Sequence, residues 1–426
     1  MQFEQLEIRL LQLKSDYERI LAQGLNLDLT RGKPSTAQLN LSDSLDGILR
    51  GDYRTLDGTD CRNYGGGLGI PEARKLAADY LGCTPDQTLV GGNSSLQLMY
   101  QCVLYGHLFG DPDTQSWYNE ADRNQVKFLC PAPGYDRHFA VCEALGIKMI
   151  PVALNEEGPD MDQVEGLVKS DPLVKGIWCV PKYSNPGGIV YSDTTVERMA
   201  KLGQIAGKNF RIFWDNAYAV HHLVEDPPTL SNIIELSRQH GTLDNVYVIG
   251  STSKITFAGA GMAFLASSES NIKKLANHLG YVTIGPDKVN QLRQSRFLQN
   301  NSNIANHMAL QRGILKPKFD LVLEHLAAAF ADKTINGTPI GRWTKPQGGY
   351  FILFDTQEGL AQKVIALTSA AGVKLTPAGA TWPYGKDPNN SNIRLAPSFP
   401  EMSEIDEAMG VFTVCVELAT IERALN

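Results

Sequence analysis

The sequence predicts an α/β protein: a mostly parallel seven-stranded sheet flanked by helices, with a smaller α+β domain beside it. Three observations lead there. Between residues 85 and 266 seven short apolar runs recur: TLV (88–90), VKFL (126–129), IKMIPV (147–152), VKGIWCV (174–180), FRIFW (210–214), VYVIG (246–250) and MAFLA (262–266). They suit strands buried on both faces. Amphipathic helical patterns separate most of them, as at 95–109, 136–145 and 194–207, the alternation expected of a doubly wound sheet. Finally, 426 residues exceed what one hydrophobic core usually holds.

The elements follow in order. Phe3, Leu6, Leu10, Leu13, Tyr17 and Ile20 recur at spacings of three and four, one apolar stripe on a helix that ends near Gly24. Such a helix must lie on the body of the protein or on a partner subunit. The polar stretch 110–125 reads as a surface loop. After residue 300 the rhythm changes: a long helix near 303–330, then a strand pair at GGYFILF (348–354) and VKLTP (373–377). A Pro/Gly/Asn-rich loop (377–392), a short strand NIRLA and a closing helix (402–424) complete the chain. The expected division is a large domain over 46–300 and a small one built from 1–45 and 301–426.

Composition narrows the function. A net charge of −7 lacks the basic stripe of a nucleic-acid footprint. No run approaches the roughly 20 apolar residues of a membrane span, and the mixed-charge N-terminus has no signal-peptide core. The seven cysteines are scattered without a CxxC pair, as in a reduced, cytoplasmic protein. No metal site is expected.

Open α/β sheets bind ligands beyond the carboxyl ends of their strands, and four segments fall there. Asp215-Asn216-Ala217-Tyr218 closes FRIFW, Ser251-Thr252-Ser253-Lys254 follows VYVIG, Asn185-Pro186-Gly187-Gly188 lies past VKGIWCV, and Asn93-Ser94-Ser95 opens a helix after TLVGG. Taken singly each has an ordinary reading: a solvated lysine, a turn, a helix cap. Four at equivalent places suggest one shared pocket.

In this order, with LDLTRGKPS (27–35), NYGGGLGIPEAR (63–74), PAPGYDRHF (131–139), STSKITFAGAG (251–261) and NIRLAPSFP (392–400), the segments resemble the fold-type I pyridoxal-phosphate (PLP) aminotransferases over nearly the whole chain. The nearest subgroup is the class Ic aspartate aminotransferases, whose catalytic domain also resembles that of MocR-type regulators. The resemblance implies that Lys254 forms a Schiff base with pyridoxal 5'-phosphate and shuttles the Cα proton. It implies that Asp215 keeps the pyridine nitrogen protonated and that Asn185 and Tyr218 bond the phenolic oxygen. Tyr135 is the implied ring on the pyridine face, although Pro133 stands where many relatives carry that aromatic. Asn93, Ser94, Ser95 and Ser251 would receive the phosphate, with Tyr64 reaching it from the other subunit of a homodimer. Arg394 would grip the substrate α-carboxylate, and Gly32 lies in the loop expected to close over it. Relatives usually place an arginine eight residues after the lysine; here stands Met262. Either another cation replaces it or dipoles and hydroxyls hold the phosphate.

The expected reaction is a ping-pong transfer between aspartate or glutamate and a 2-oxo acid. A distal carboxylate needs a second cation, for which Arg31 and Lys33 in the N-terminal loop, and Lys288 reached from the other subunit, are the candidates. PLP lyases and aminotransferases of other preference share the scaffold. A non-catalytic PLP-binding regulator is the remote alternative, because Tyr64 already belongs to the catalytic framework and leaves no room for a preceding helix-turn-helix domain. A nicotinamide dehydrogenase would need G-x-G-x-x-G after a strand, and no strand pattern precedes NYGGGLGI.

Overall fold

The computed structural model describes residues 3–110, 115–120 and 125–426. All seven expected strands form one sheet, in the order 88–90, 263–266, 246–251, 211–215, 174–179, 127–132, 148–155. Strands 246–251, 211–215, 174–179, 127–132 and 148–155 run parallel, and 263–266 is antiparallel to both its neighbours. An eighth strand, Gly158–Pro159, turns back on the edge of Lys148–Asn155; two residues leave no apolar run to read in the sequence.

Burial explains why these runs lack alternation. Ile212 and Trp214 point into one core, while Phe213 points into the other. Val246 and Val248 part from Tyr247 and Ile249 in the same way. Helices cover both faces, so the central strands are apolar at most positions rather than at alternate ones. One of the two cores is aromatic: Phe128, Trp178 and Phe213 meet at centroid distances of 4.7–5.8 Å.

The stretch 110–125 is more than a surface loop. Of its residues 115–120 are described, and Trp117 there is buried, its Nε1 donating to the Asn209 carbonyl at 3.0 Å. Glu120 pairs with the buried Lys175. A buried lysine needs such a partner, and the polar composition of the stretch concealed it.

Beyond residue 300, the helix Asn301–Phe330 leads to an antiparallel sheet of Gly341–Trp343, Ile352–Thr356 and Asn392–Leu395. The expected pairing of 348–354 with 373–377 is not made. The helix Ala361–Ala370 carries the chain across, and Val373–Lys374 pairs in parallel with Leu27–Asp28 instead. Leu27 and Val373 are both buried there, so the N-terminal segment takes the position the sequence reading assigned to another strand.

The leading helix, Phe3–Gln23, lies on the closing helix Met402–Leu425. Arg9 donates from Nε and Nη2 to the two Glu417 carboxylate oxygens at 2.8 and 2.6 Å, and the Tyr17 hydroxyl donates to the Leu367 carbonyl at 2.9 Å. Leu6 and Leu13 are the buried members of the stripe, whereas Phe3 is exposed. No helix among the described residues is long and apolar enough to cross a membrane. Leu13 is 0% exposed, so Leu13→Ala is expected to cost about 2–5 kcal/mol. A urea-unfolding midpoint equal to that of the unaltered chain would show that this helix does not share the main cooperative unit.

Candidate active site

Strands 127–132 and 174–179 are neighbours, and the chain leaves them in opposite directions across the sheet; a crevice is expected at this switch point. A cavity of about 500 Å³ lies there, lined by Thr30–Lys33, Tyr135–Arg137, Asn185, Tyr218, Lys254, Phe351, Thr376, Pro377, Ala380 and Arg394. It brings together eight sequence-predicted site residues: Arg31, Gly32, Lys33, Tyr135, Asn185, Tyr218, Lys254 and Arg394. Pro133 is not among the lining residues, so Tyr135 is the aromatic at this wall.

Asp215 ends its strand at 3% exposure. Its Oδ2 accepts a hydrogen bond from His138 Nε2 at 3.0 Å, and its Oδ1 is buried with no partner among the described residues. The imidazole stacks on Trp178 at 4.3 Å and 8°, so the aromatic core holds the histidine that holds the aspartate. The sequence reading missed His138. Its signal was the spacing from Tyr135 in PAPGYDRHF, which puts both at the start of helix Asp136–Ala144.

Lys254 sits in the turn after Val246–Ser251, with Nζ 4.7 Å from the Tyr218 ring centroid. Burial lowers its ammonium below the ordinary lysine range, and the Asp215 carboxylate partly opposes that shift. The Tyr218 hydroxyl is pushed well above its ordinary value, first by burial and then by neighbouring Tyr135 and Asp215. Burial raises the Tyr135 hydroxyl too.

Across the cavity Arg394 extends from the strand Asn392–Leu395 and is buried. Nε and Nη2 donate to Thr376 Oγ1 at 3.3 and 3.2 Å, and Nη1 donates to Asn185 Oδ1 at 3.2 Å. Asp136 lies 3.6 Å from Nη1, and the guanidinium carbon 4.8 Å from the Phe351 ring centroid. Gly32 presses on that ring: a Cβ there would stand 2.3 Å from Phe351 Cζ, so only glycine permits this approach. Thr376, Phe351 and Arg137 were not foreseen either, although Arg137 lies two residues after Tyr135 in PAPGYDRHF.

Asn93, Ser94 and Ser95 follow the edge strand Thr88–Val90. Ser94 caps helix Ser95–Leu104, accepting from Gln97 N–H at 3.3 Å, while the amides of Ser95 and Leu96 have no acceptor within the helix. Ser253 Oγ donates to the Asn93 carbonyl and Asn93 Nδ2 to the Gly259 carbonyl, both at 3.0 Å. These bonds staple the helix start to the Lys254 turn, and Ser251 is buried beside it. Met262 is packed in the core and supplies no charge.

Seven expected residues do not line the cavity: Asp215, Asn93, Ser94, Ser95 and Ser251, placed above, and Tyr64 and Lys288. Tyr64 is 83% exposed. Lys288 is 5% exposed, and its Nζ donates to the Gly65 carbonyl at 2.6 Å. The ammonium ties the loop bearing Tyr64 to the helix Lys288–Leu298, outside this chain's own cavity, while its expected part in binding a distal carboxylate concerns the other subunit's site. Lys33 places Nζ 3.8 Å over the Phe399 ring, at the cavity rim.

The aspartate amino-transferase family model matches residues 2–426. The chain is 44% identical over 415 residues to a Mycolicibacterium smegmatis protein assigned as an aminotransferase, covering 96% of this chain and 95% of that one. A Corynebacterium glutamicum aspartate aminotransferase is 42% identical over 416 residues, 97% of this chain and 94% of its own. The crystal structure of an aspartate transaminase from C. glutamicum superposes with a TM-score of 0.94 at 41% identity, over 100% of this chain and 98% of that one. The fold is that of the fold-type I PLP-dependent transferases. This chain belongs to the aspartate amino-transferase family, and it is an aminotransferase.

Asp215 opposes the burial shift on Lys254, so Asp215→Asn is expected to lower the lysine pKa further. The pH dependence of Lys254 labelling by an amine reagent, read by peptide mass spectrometry on the cofactor-free chain, measures it. A midpoint unchanged or raised in Asp215→Asn would contradict the electrostatic coupling.

Proposed function

We propose that this aminotransferase moves an amino group between aspartate or glutamate and a 2-oxo acid by a ping-pong mechanism, using pyridoxal 5'-phosphate anchored on Lys254. The observation that carries the cofactor reading is Asp215 Oδ1, buried and unpaired. Such an oxygen costs about 1–3 kcal/mol unless something donates to it, and a protonated ring nitrogen is a donor of the right kind. Asn93, Ser94, Ser95 and Ser251 would receive the phosphate through amides and hydroxyls, which suits an anion at a helix start without an arginine at Met262. Bound there, the cofactor supplies a carbonyl for the amine and a ring that accepts the electron pair released at Cα.

The side chains do the rest. Arg394, oriented by Thr376 and Asn185, holds the α-carboxylate, and Gly32 lets the 30–33 loop close on it. The lowered pKa keeps more of the Lys254 amine neutral, the form that takes the Cα proton. Tyr218 and Asn185 would hold the cofactor's phenolic oxygen, and the Tyr135 ring would pack against its pyridine ring. Besides Lys254 and Arg394, the cavity wall carries Arg31, Lys33 and Arg137 against a single acid, Asp136. That excess of positive charge favours a substrate with a second carboxylate.

A homodimer is part of the same reading. Tyr64 and Tyr281 are 83% and 90% exposed, and their loops are joined where Gly285 meets Gly65, with room for no Cβ. An exposed apolar patch of this kind suits a second copy. The division into 46–300 and 1–45 with 301–426 is supported by the core that gathers Leu6, Leu13, Phe319, Phe354 and Phe412. A cytoplasmic setting suits seven free cysteines.

With 2-oxoglutarate as acceptor, kcat/KM for aspartate and glutamate is expected to exceed that for alanine, leucine and phenylalanine more than tenfold. A monocarboxylic amino acid winning by tenfold overturns the substrate reading. Arg137→Ala is expected to shrink the aspartate-to-alanine ratio by about tenfold, or 1.4 kcal/mol; an unchanged ratio leaves the distal carboxylate to Arg31 or Lys33. For the dimer, inactive Lys254→Ala and Tyr64→Ala chains are expected to regain activity when mixed, since each hybrid has one intact site. Subunit exchange without recovered activity would place Tyr64 in its own chain's site or outside any site.

A further inference from the structure

The backbone that carries Lys254 is gripped from outside the cavity. The Lys254 carbonyl accepts from His221 Nε2 at 3.2 Å and from the Tyr350 hydroxyl at 3.4 Å. The Ile255 carbonyl accepts from His307 Nε2 at 2.7 Å and from Gln311 Nε2 at 3.1 Å. A carbonyl only accepts, so both imidazoles carry their proton on Nε2. Burial keeps His221 neutral, its pKa lowered to about 3.

Two of these four donors are held by one side chain. Gln38, fully buried, donates from Nε2 to Gln311 Oε1 at 2.6 Å and to the Tyr350 hydroxyl at 3.2 Å. Its Oε1 accepts from Ser35 N–H at 3.0 Å, half of the capping box that starts helix Thr36–Asn40. Both amide hydrogens and the amide oxygen are used. A buried glutamine with no unsatisfied group, joining three separate elements, specifies one arrangement of them.

Only Pro34 separates Ser35 from the cavity-lining segment 30–33, whose other end is tied to Arg394. Thr376 Oγ1 donates to the Thr30 carbonyl at 3.1 Å while accepting from Arg394, and Ser398 Oγ donates to the Lys33 carbonyl at 3.0 Å. One stretch, 30–38, is thus bonded at one end to the group that orients Arg394. At the other it is bonded to the groups that hold the Lys254 and Ile255 carbonyls.

We propose that Gln38 is a positioning residue for amino-group transfer, tying the 30–35 segment to the Lys254–Ile255 backbone and so setting the Lys254 amine against the carboxylate held by Arg394. The proposal rests on the roles given above to Lys254 and Arg394. Small displacements of a proton-transferring group are costly even when binding is intact, so the loss is expected in kcat rather than KM.

The test compares Gln38→Leu and Gln38→Glu with the unaltered holoenzyme. Gln38→Glu keeps the size and the acceptor for Ser35, replaces only the two donated bonds, and carries the test if Gln38→Leu does not fold. Each is expected to lower kcat for aspartate at least tenfold with KM changed less than threefold. In the cofactor-free full chain, the labelling rate of Lys254 relative to the exposed Lys273 is expected to change at least threefold. Tyr350→Phe should lose part of the same activity, and adding it to Gln38→Leu or Gln38→Glu should cost little more, because the residues act in one chain of bonds. A folded variant with kcat and labelling unchanged within twofold overturns the proposal, as does a loss confined to melting temperature or to KM. Absence of turnover by the unaltered chain with every amino acid would overturn the functional reading instead, and the labelling comparison would still decide the role of Gln38.

Discussion

A buried carboxylate organises this protein. Asp215 stands at the end of a central strand, where water cannot solvate it, and an isolated charge in such a place is expensive. His138 meets one oxygen, and the imidazole is immobilised by stacking on Trp178. Trp178 in turn packs on Phe128 and Phe213 from the neighbouring strands. The aromatic face of the sheet therefore fixes the histidine, the histidine fixes the aspartate, and the second aspartate oxygen is left as the group around which a ligand can be placed.

The opposite wall solves the same problem for a cation. Arg394 is buried, and its guanidinium is distributed over Thr376, Asn185, Asp136 and the face of Phe351. None of these contacts neutralises it as a close bidentate carboxylate would; the one acid stands 3.6 Å away. A charge placed this way is oriented yet remains available to a bidentate anion. Between the two walls lies Lys254, whose ammonium is disfavoured by burial and only partly sustained by Asp215. Burial thus favours the neutral amine of Lys254 between the Asp215 and Arg394 walls.

Much of the fold was legible because its strands are buried on both faces. Uninterrupted apolar runs such as VYVIG and FRIFW have few other uses, and all seven appear in the sheet. The strand ends were legible for a related reason: polar residues directly after such a run lie where a parallel sheet opens to solvent. Lys254, Asp215, Asn185, Tyr218 and Ser251 were read in that way. Legibility failed where a residue's partner lies far away in the chain. Val373 pairs with Leu27, and Trp117 fills the aromatic core from within a polar stretch.

The sequence by itself determined the fold class, the strand ends that converge, and the residue types a PLP aminotransferase would need, because periodicity and local motif order are properties of neighbouring residues. Only the tertiary structure decided which of these groups are shared and which are engaged elsewhere. It joined His138 to Asp215 and Thr376 to Arg394, it linked Gln38 through Tyr350 to the Lys254 backbone, and it tied Lys288 to Gly65. Each of those outcomes rests on hydrogen bonds between residues 18 or more positions apart. Such bonds form only when packing has excluded water, and no local pattern records them.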